Sequence, residues 1–191
     1  MLNYEQNLKL NHLIADRLLE RLFIIPFIPD HILNIGCMDD YIHNKLIKHY
    51  QNATIHNLQT ANNVDWLSGD LYKLPFANNS FDLVIANLAM ECYDPNLIHN
   101  FKELHRVMRM GSLLLFTICN YKNLGQNELM NIGDLLLKNQ FCDPVIDQDL
   151  FIINYNNSID DHNHNQEISI ELIYGHALGN SLVKTSVIFE S

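Results

Sequence analysis

HILNIGCMDD, residues 31–40, is the stretch whose reading decides the fold. It runs as a short apolar strand into a sharp turn and then a helix. In α/β proteins ligands collect outside the carboxyl ends of parallel strands, beside helix N-termini whose N–H groups favour anions. Turns of this kind normally carry several glycines, because the backbone takes positive φ and lets a ligand approach closely. Here only Gly36 is present, and Met38 and Asp40 stand where the turn would want nothing bulky or anionic. The stretch reads as a nucleotide-type cofactor site that has been filled in.

Working outward, apolar positions at Leu8, Leu10, Leu13, Ile14, Leu18, Leu19 and Leu22 predict a helix over residues 4–22. Pro26 and Pro29 break the chain before the strand His31–Gly36, and a second helix is expected over Asp40–Tyr50. Strands follow at Ala53–Leu58, at Trp66–Asp70 and at Ser80–Leu88, the last a continuous apolar run of the sort buried on both sheet faces. Asp94-Pro95 opens a helix through Met108, which Gly111 ends. Beyond it come a strand at Ser112–Ile118, a helix at about Asn127–Asn139, and strands at about Pro144–Tyr155 and Ile168–Tyr174. Strands alternating with helices and finishing strand-to-strand predict an α/β sheet, mostly parallel, with an antiparallel edge hairpin at the C-terminus. One domain over 1–191 is expected, with 1–30 as the N-terminal helix and the loop leading into the first strand.

Composition narrows the function classes. A formal net charge of −10 argues against a general nucleic-acid or anionic-membrane binder. LFIIPFIP (Leu22–Pro29) is too short to span a bilayer and carries two prolines. Cys37, Cys92, Cys119 and Cys142 show no C-x-x-C spacing, and no signal peptide is in view, so reduced thiols in a cytoplasmic protein are expected.

SGDLYKLPFANNSFDLVIANLAMECYDP (68–95) and FKELHRVMRMGSLLLFTI (101–118) resemble class I S-adenosylmethionine-dependent methyltransferases over the third to fifth strands. Within that superfamily YEQNLKLNHLIADRLLERL (4–22), IGDLLLKNQFCDPVIDQDLFIINY (132–155) and EISIELIYGHALG (167–179) are similar to the BioC-like malonyl-carrier-protein O-methyltransferases of biotin synthesis. The resemblance implies a Rossmann-like sheet and S-adenosylmethionine as cofactor, if the chain binds one at all. It assigns cofactor positions to Asn34, Gly36, Met38, Gln59, Asp70, Leu71 and Asn87. Asp70 matches the acid that meets the adenine amino group, with Leu71 alongside, and Asn87 lies where the methyl-bearing end would point.

The departures bear on activity. Against a pattern such as LDLGCGTG, Asn34 replaces the carboxylate on the cofactor's ammonium side and Met38 replaces a glycine. Gln59 replaces the acid that takes both ribose hydroxyls, a loss on the order of 1.5–3 kcal/mol. The segments 59–66, 119–128 and 156–166 are short beside the resembled proteins, so the sheet reads as kept and the substrate lid as lost. The first expectation is therefore a weak or vestigial cofactor site in a non-catalytic binding or regulatory partner, paired with a catalytic relative or acting as a homodimer. The competing expectation is a live methyltransferase acting on a carboxylate such as a malonyl thioester, although an acidic chain suits an acidic carrier poorly. A third keeps the pocket for an uncharged nucleoside or another small molecule.

Other residues carry a bland reading beside a functional one. Tyr4 aligns with a tyrosine that closes over the cofactor, and reads equally as a frayed terminal aromatic. His176 reads first as satisfying a hydrogen bond at a strand end, with substrate contact second. His162 and His164 beside Asp160 and Asp161 read as a solvated loop rather than a metal site, and no metal is expected. Cys37 and Cys92 read as packing. Lys102, Arg106 and Arg109 read as a solvated helix face pairing with Glu103.

Overall fold

The computed structural model describes residues 4–36, 39–59, 67–68, 71–91, 97–120, 126–156 and 165–179. The elements are α1 (Tyr4–Phe23), β1 (His31–Ile35), α2 (Tyr41–His49), β2 (Thr54–Gln59), β3 (Leu67–Ser68), β4 (Phe81–Glu91), α3 (Leu97–Val107), β5 (Met108–Asn120), α4 (Gln126–Lys138), β6 (Cys142–Asn156) and β7 (Asn165–Leu178). They build one seven-stranded sheet in the order β3-β2-β1-β4-β5-β7-β6. Strands β1 to β5 pair in parallel, while β7 runs antiparallel between β5 and β6. The mostly parallel α/β sheet with a C-terminal antiparallel hairpin is thus as the sequence predicts.

Alternation along the strands sends residues to two apolar layers. Ile32, Leu83, Ile85, Leu113 and Leu115 meet Ile14, Leu18, Leu22, Ile42 and Leu46 from α1 and α2. On the opposite face Leu33, Ile35, Val84, Leu114 and Phe116 meet Phe101, Leu104 and Leu136 from α3 and α4. The helices bury these faces because their apolar residues recur at three- and four-residue intervals. Among the described residues no helix is long and apolar enough to cross a membrane.

The junction between α3 and β5 differs from the sequence expectation. The helix expected to run to Met108 ends at Val107, and β5 begins at Met108. Gly111 consequently lies inside β5, at φ +73°, rather than ending a helix. The register with β4 is irregular there, between Phe81 and Leu83, and glycine accommodates the bend. The proposed opening of α3 at Asp94-Pro95 lies outside the described residues.

Lys102 is exposed and Arg106 pairs with Glu103 as the sequence reading has it, but Arg106 and Arg109 also bracket neighbouring segments instead of lying free in solvent. Arg106 donates from Nε and Nη2 to Glu103 (2.8 and 2.6 Å), to the carbonyls of Phe76 (2.8 Å) and Leu74 (3.1 Å), and to Asn78 Oδ1 (2.8 Å). Arg109 holds both oxygens of Asp82 at 2.9 and 3.0 Å. Arg106→Ala is expected to cost about 2–3 kcal/mol, since the 74–78 loop loses its donors and Glu103 its counter-charge. Arg106→Lys should not restore it, because an ammonium cannot span the same fork. Urea unfolding of both variants checks this; a parent-like midpoint for the lysine variant would contradict it.

Candidate functional site

The carboxyl ends of β1 and β4 lie side by side, Ile35 pairing with Ala86, and the turn after β1 leaves the sheet beside the following residues of β4. Gly36 closes β1 at φ +85°, and a Cβ there would run into the Asn87 carbonyl oxygen and approach the Ala89 Cβ to 2.9 Å. That crowding arises because β4 carries a bulge after Ala86, where its register with β5 shifts. Leu88 takes φ +51° within it, a left-handed conformation unusual for a residue with a side chain.

A buried polar set holds the bulge. The Leu88 N–H donates to Thr117 Oγ1 (2.8 Å), whose hydroxyl donates to Asn87 Oδ1 (2.9 Å). Asn87 Nδ2 makes a longer contact to Asn11 Oδ1 of α1 (3.4 Å). Asn87 and Thr117 are fully buried and Asn11 nearly so, which these bonds make tolerable. The Asn87 side chain is thus committed to the packing between β4, β5 and α1.

The opposite wall is the turn after β1. Asp39 Oδ1 accepts from the Tyr41 N–H (3.1 Å) at the start of α2, and Asp39 Oδ2 accepts from His12 Nε2 of α1 (2.7 Å). Asp40 is exposed at the helix N-cap, where the dipole favours its charge. Asp40, read from sequence as a charge crowding a ligand, and its neighbour Asp39 therefore have local roles at the start of α2.

Beneath the turn Asn34 is fully buried. Its Nδ2 donates to Asn57 Oδ1 (2.9 Å), and Asn57 Nδ2 donates to His43 Nδ1 (2.9 Å), a neutral chain tying β1, β2 and α2. Asn34 Oδ1 is buried without a hydrogen-bond partner. Leu71 is buried at 7% exposure in the other apolar layer. Met38 and Asp70 lie outside the described residues, as does the Gln59 side chain, although the backbone pairing places Gln59 at the end of β2. Cys37, Cys92 and the loop with His162 and His164 lie outside them as well. Among the described residues no group of three metal-ligating side chains forms.

Tyr4 is exposed at the start of α1. His176 is elsewhere: it sits opposite Leu115, two residues before the end of β7, near a strand end as the sequence reading has it. It lines a cleft of about 200 Å³ between α1 and the C-terminal hairpin, with Leu18, Arg21, Ile24, Val145 and Asp147. An Arg21–Asp147 ion pair (2.8 Å) crosses that cleft.

Burial pushes His176 below the ordinary histidine value, and the Arg21 charge adds to the effect. Burial lowers His105 too, partly opposed by its bond to the Gln140 backbone. A histidine that resists protonation when folded leaves the unfolded chain to bind the proton first. Stability is therefore expected to be full above the ordinary value of 6.5 and to fall as pH drops from there through the lowered folded values. Urea midpoints at about pH 7 and about pH 5 should show this, with a smaller drop in a His105→Gln/His176→Gln variant. An equal drop in both proteins would exclude these histidines as its source.

Asn11, His12, Asn57 and Thr117 are the members of this arrangement that sequence reasoning missed. Only Asn11 left a signal: it is a polar residue in the inner stripe of Ile14, Ala15 and Leu18.

A family model described as a methyltransferase domain matches residues 33–116, from β1 through most of β5. Solved structures share the fold. The YcgJ protein of Bacillus subtilis aligns with a TM-score of 0.64 at 10% identity, over 86% of this chain and 99% of that one. A Haemonchus contortus phosphoethanolamine N-methyltransferase 2, solved with S-adenosyl-L-methionine, aligns with a TM-score of 0.63 at 12% identity, over 87% and 52%. Over residues 33–116 the chain is thus similar to a methyltransferase domain, and its fold is shared with solved S-adenosylmethionine-dependent methyltransferases.

Among curated proteins it is similar to malonyl-acyl-carrier-protein O-methyltransferases. It is 32% identical to that of Legionella pneumophila, over 80% of this chain and 64% of the relative. It is 31% identical to malonyl-acyl-carrier-protein O-methyltransferase 1 of Coxiella burnetii, over 74% and 57%. The chain thus spans about 57–64% of the length of these curated relatives. The Legionella match runs over 184 aligned positions yet uses only 80% of the 191 residues, so part of the difference is internal.

Proposed function

We infer that the space above the turn after β1 and the β4 bulge, at the carboxyl ends of these strands, forms a cleft that holds S-adenosylmethionine. We infer further that the chain methylates a carboxylate on a malonyl thioester borne by an acyl-carrier protein, as a cytoplasmic enzyme of the biotin route. The observation that carries the reading is Asn34 Oδ1, a fully buried acceptor without a partner. It lies where the resemblance sets the cofactor's ammonium side. A buried acceptor of this kind costs about 1–3 kcal/mol until a donor meets it. The identity to two malonyl-acyl-carrier-protein O-methyltransferases supports the choice of substrate.

When bound, S-adenosylmethionine supplies an electrophilic methyl group. Asn34 would accept from its ammonium side, Leu71 and Asp70 would border the adenine, and Gln59 would accept one ribose hydrogen bond. Gly36 keeps the turn free of side-chain bulk, and Asn87 with Thr117 fixes the floor under the reacting end. The chain's contribution to the chemistry is positioning of two reactants for in-line attack. Because Asn34 and Gln59 are neutral, the hold is weaker than that of a site with carboxylates at both positions.

The same neutrality favours a second reading. Asn34 is tied through Asn57 to His43 in a hydrogen-bonded chain that contains no carboxylate, as suits a non-catalytic partner protein or homodimer that has given up the cofactor. Incubating the protein with labelled S-adenosylmethionine and a malonyl-loaded acyl-carrier protein separates the two. A methyl ester that hydrolyses back to the free malonyl carrier supports the enzyme. Cofactor binding without transfer removes the substrate assignment, and neither binding nor transfer leaves the partner reading.

A further inference from the structure

We propose that α1 is the clamp of this cleft, and that Asn11 and His12 are positioning residues holding its two walls at once. The proposal rests on reading the cleft as an S-adenosyl site. Consecutive helix residues diverge by about 100°, so neighbours on one helix can reach different elements. Asn11 meets Asn87 in the β4 bulge, and His12 meets Asp39 in the turn after β1.

The His12 side is reinforced by the rest of its helical face. Its ring stacks on Tyr41, the first residue of α2, at 3.8 Å and 9°. One turn further, Asp16 accepts from the Tyr41 hydroxyl (2.8 and 2.9 Å) and from Lys45 (2.7 Å). Residues 12 and 16 therefore register α1 against the first turn of α2, whose start Asp39 caps. The Asn11 side is buried: Asn11 is 5% exposed and Asn87 fully enclosed, so removing the partner leaves an amide unpaired in the core. The walls themselves touch, since the Asn87 carbonyl crowds Gly36. Docking of α1 thus selects one separation of turn and bulge.

By linkage, a ligand that fits that separation must favour the docked helix, and loosening the helix must weaken the ligand. The test uses S-adenosylhomocysteine and calorimetry on the full chain, with Asn11→Leu, His12→Ala and His12→Gln. Leucine fills the buried site without a polar group, and glutamine keeps a donor for Asp39. The alanine and leucine variants should bind about tenfold more weakly, with glutamine recovering most of the loss. Ligand should slow amide exchange over residues 8–16 in the parent and much less in His12→Ala. Thermal midpoints without ligand separate positioning from plain stability.

Variants that lose stability yet bind as the parent does overturn the clamp and leave the cleft reading intact. A parent that does not bind S-adenosylhomocysteine overturns the cleft reading, and the clamp with it. Weakened binding restored by His12→Gln supports both.

Discussion

Gly36→Ala is expected to destabilise the protein by about 3–5 kcal/mol, which for a chain of this size lowers the thermal midpoint by roughly 10 °C. Two independent costs combine. At φ +85° an alanine sits in the left-handed region, and its methyl group would be driven into the Asn87 carbonyl and against Ala89. Backbone cannot swing aside as a flexible side-chain tip can, and Asn87 is itself locked by Thr117. The effect should appear without any ligand, because the crowding is between β1 and β4. A midpoint within about 2 °C of the parent would mean that the bulge does not approach the turn as described. The demand for glycine here is therefore one of packing as well as of ligand access, and Gly36 would be kept in a chain that had lost its cofactor.

Gly175→Ala should be nearly as costly, at about 2–4 kcal/mol. Gly175 pairs with Phe116 of β5 on one side and Ile146 of β6 on the other. A methyl group would meet the Phe116 ring tip and come within 3.0 Å of Ile146 Cδ1. Phe116 is fully buried and packed edge-on against Phe101 at 5.4 Å, so its ring has nowhere to turn. Shortening the ring should relieve the clash: Gly175→Ala/Phe116→Leu is expected to be more stable than the sum of the two single losses by about 1–2 kcal/mol. Additive single losses in a double-mutant cycle would show that the two residues do not face each other, and so would revise the register of the C-terminal hairpin.

The sheet was legible because its strands are long apolar runs and its helices keep one apolar face. Ser80–Leu88 and Ser112–Ile118 could hardly be placed anywhere but at the centre, and they became β4 and β5. The ends were less legible. Met108 joins β5 rather than α3 because Gly111 bends the strand at positive φ, and a glycine after a helical pattern looks the same whether it stops a helix or bends a strand. The site was legible in outline only. Gly36 announced the turn, but Asp40 looked like a misplaced charge until the start of α2 was seen beside it, and Asp39 gave no sign of its bond to His12. The bonds that join the walls span 27 residues from His12 to Asp39 and 76 from Asn11 to Asn87, and no local spacing encodes such pairings.

Arg106 teaches the same lesson at the surface. Read along the chain it is one of three basic residues near Glu103. In the fold its guanidinium closes the 74–78 loop through two carbonyls, a role set by a segment some thirty residues earlier.

Calorimetric titration of the full chain with S-adenosylhomocysteine tests the central claim most directly. A dissociation constant in the micromolar range, on the order of 8 kcal/mol of binding free energy, is the predicted result. Absence of heat and of thermal stabilisation at millimolar ligand would contradict it, leaving a methyltransferase fold that has kept the walls of its cleft and lost the cofactor.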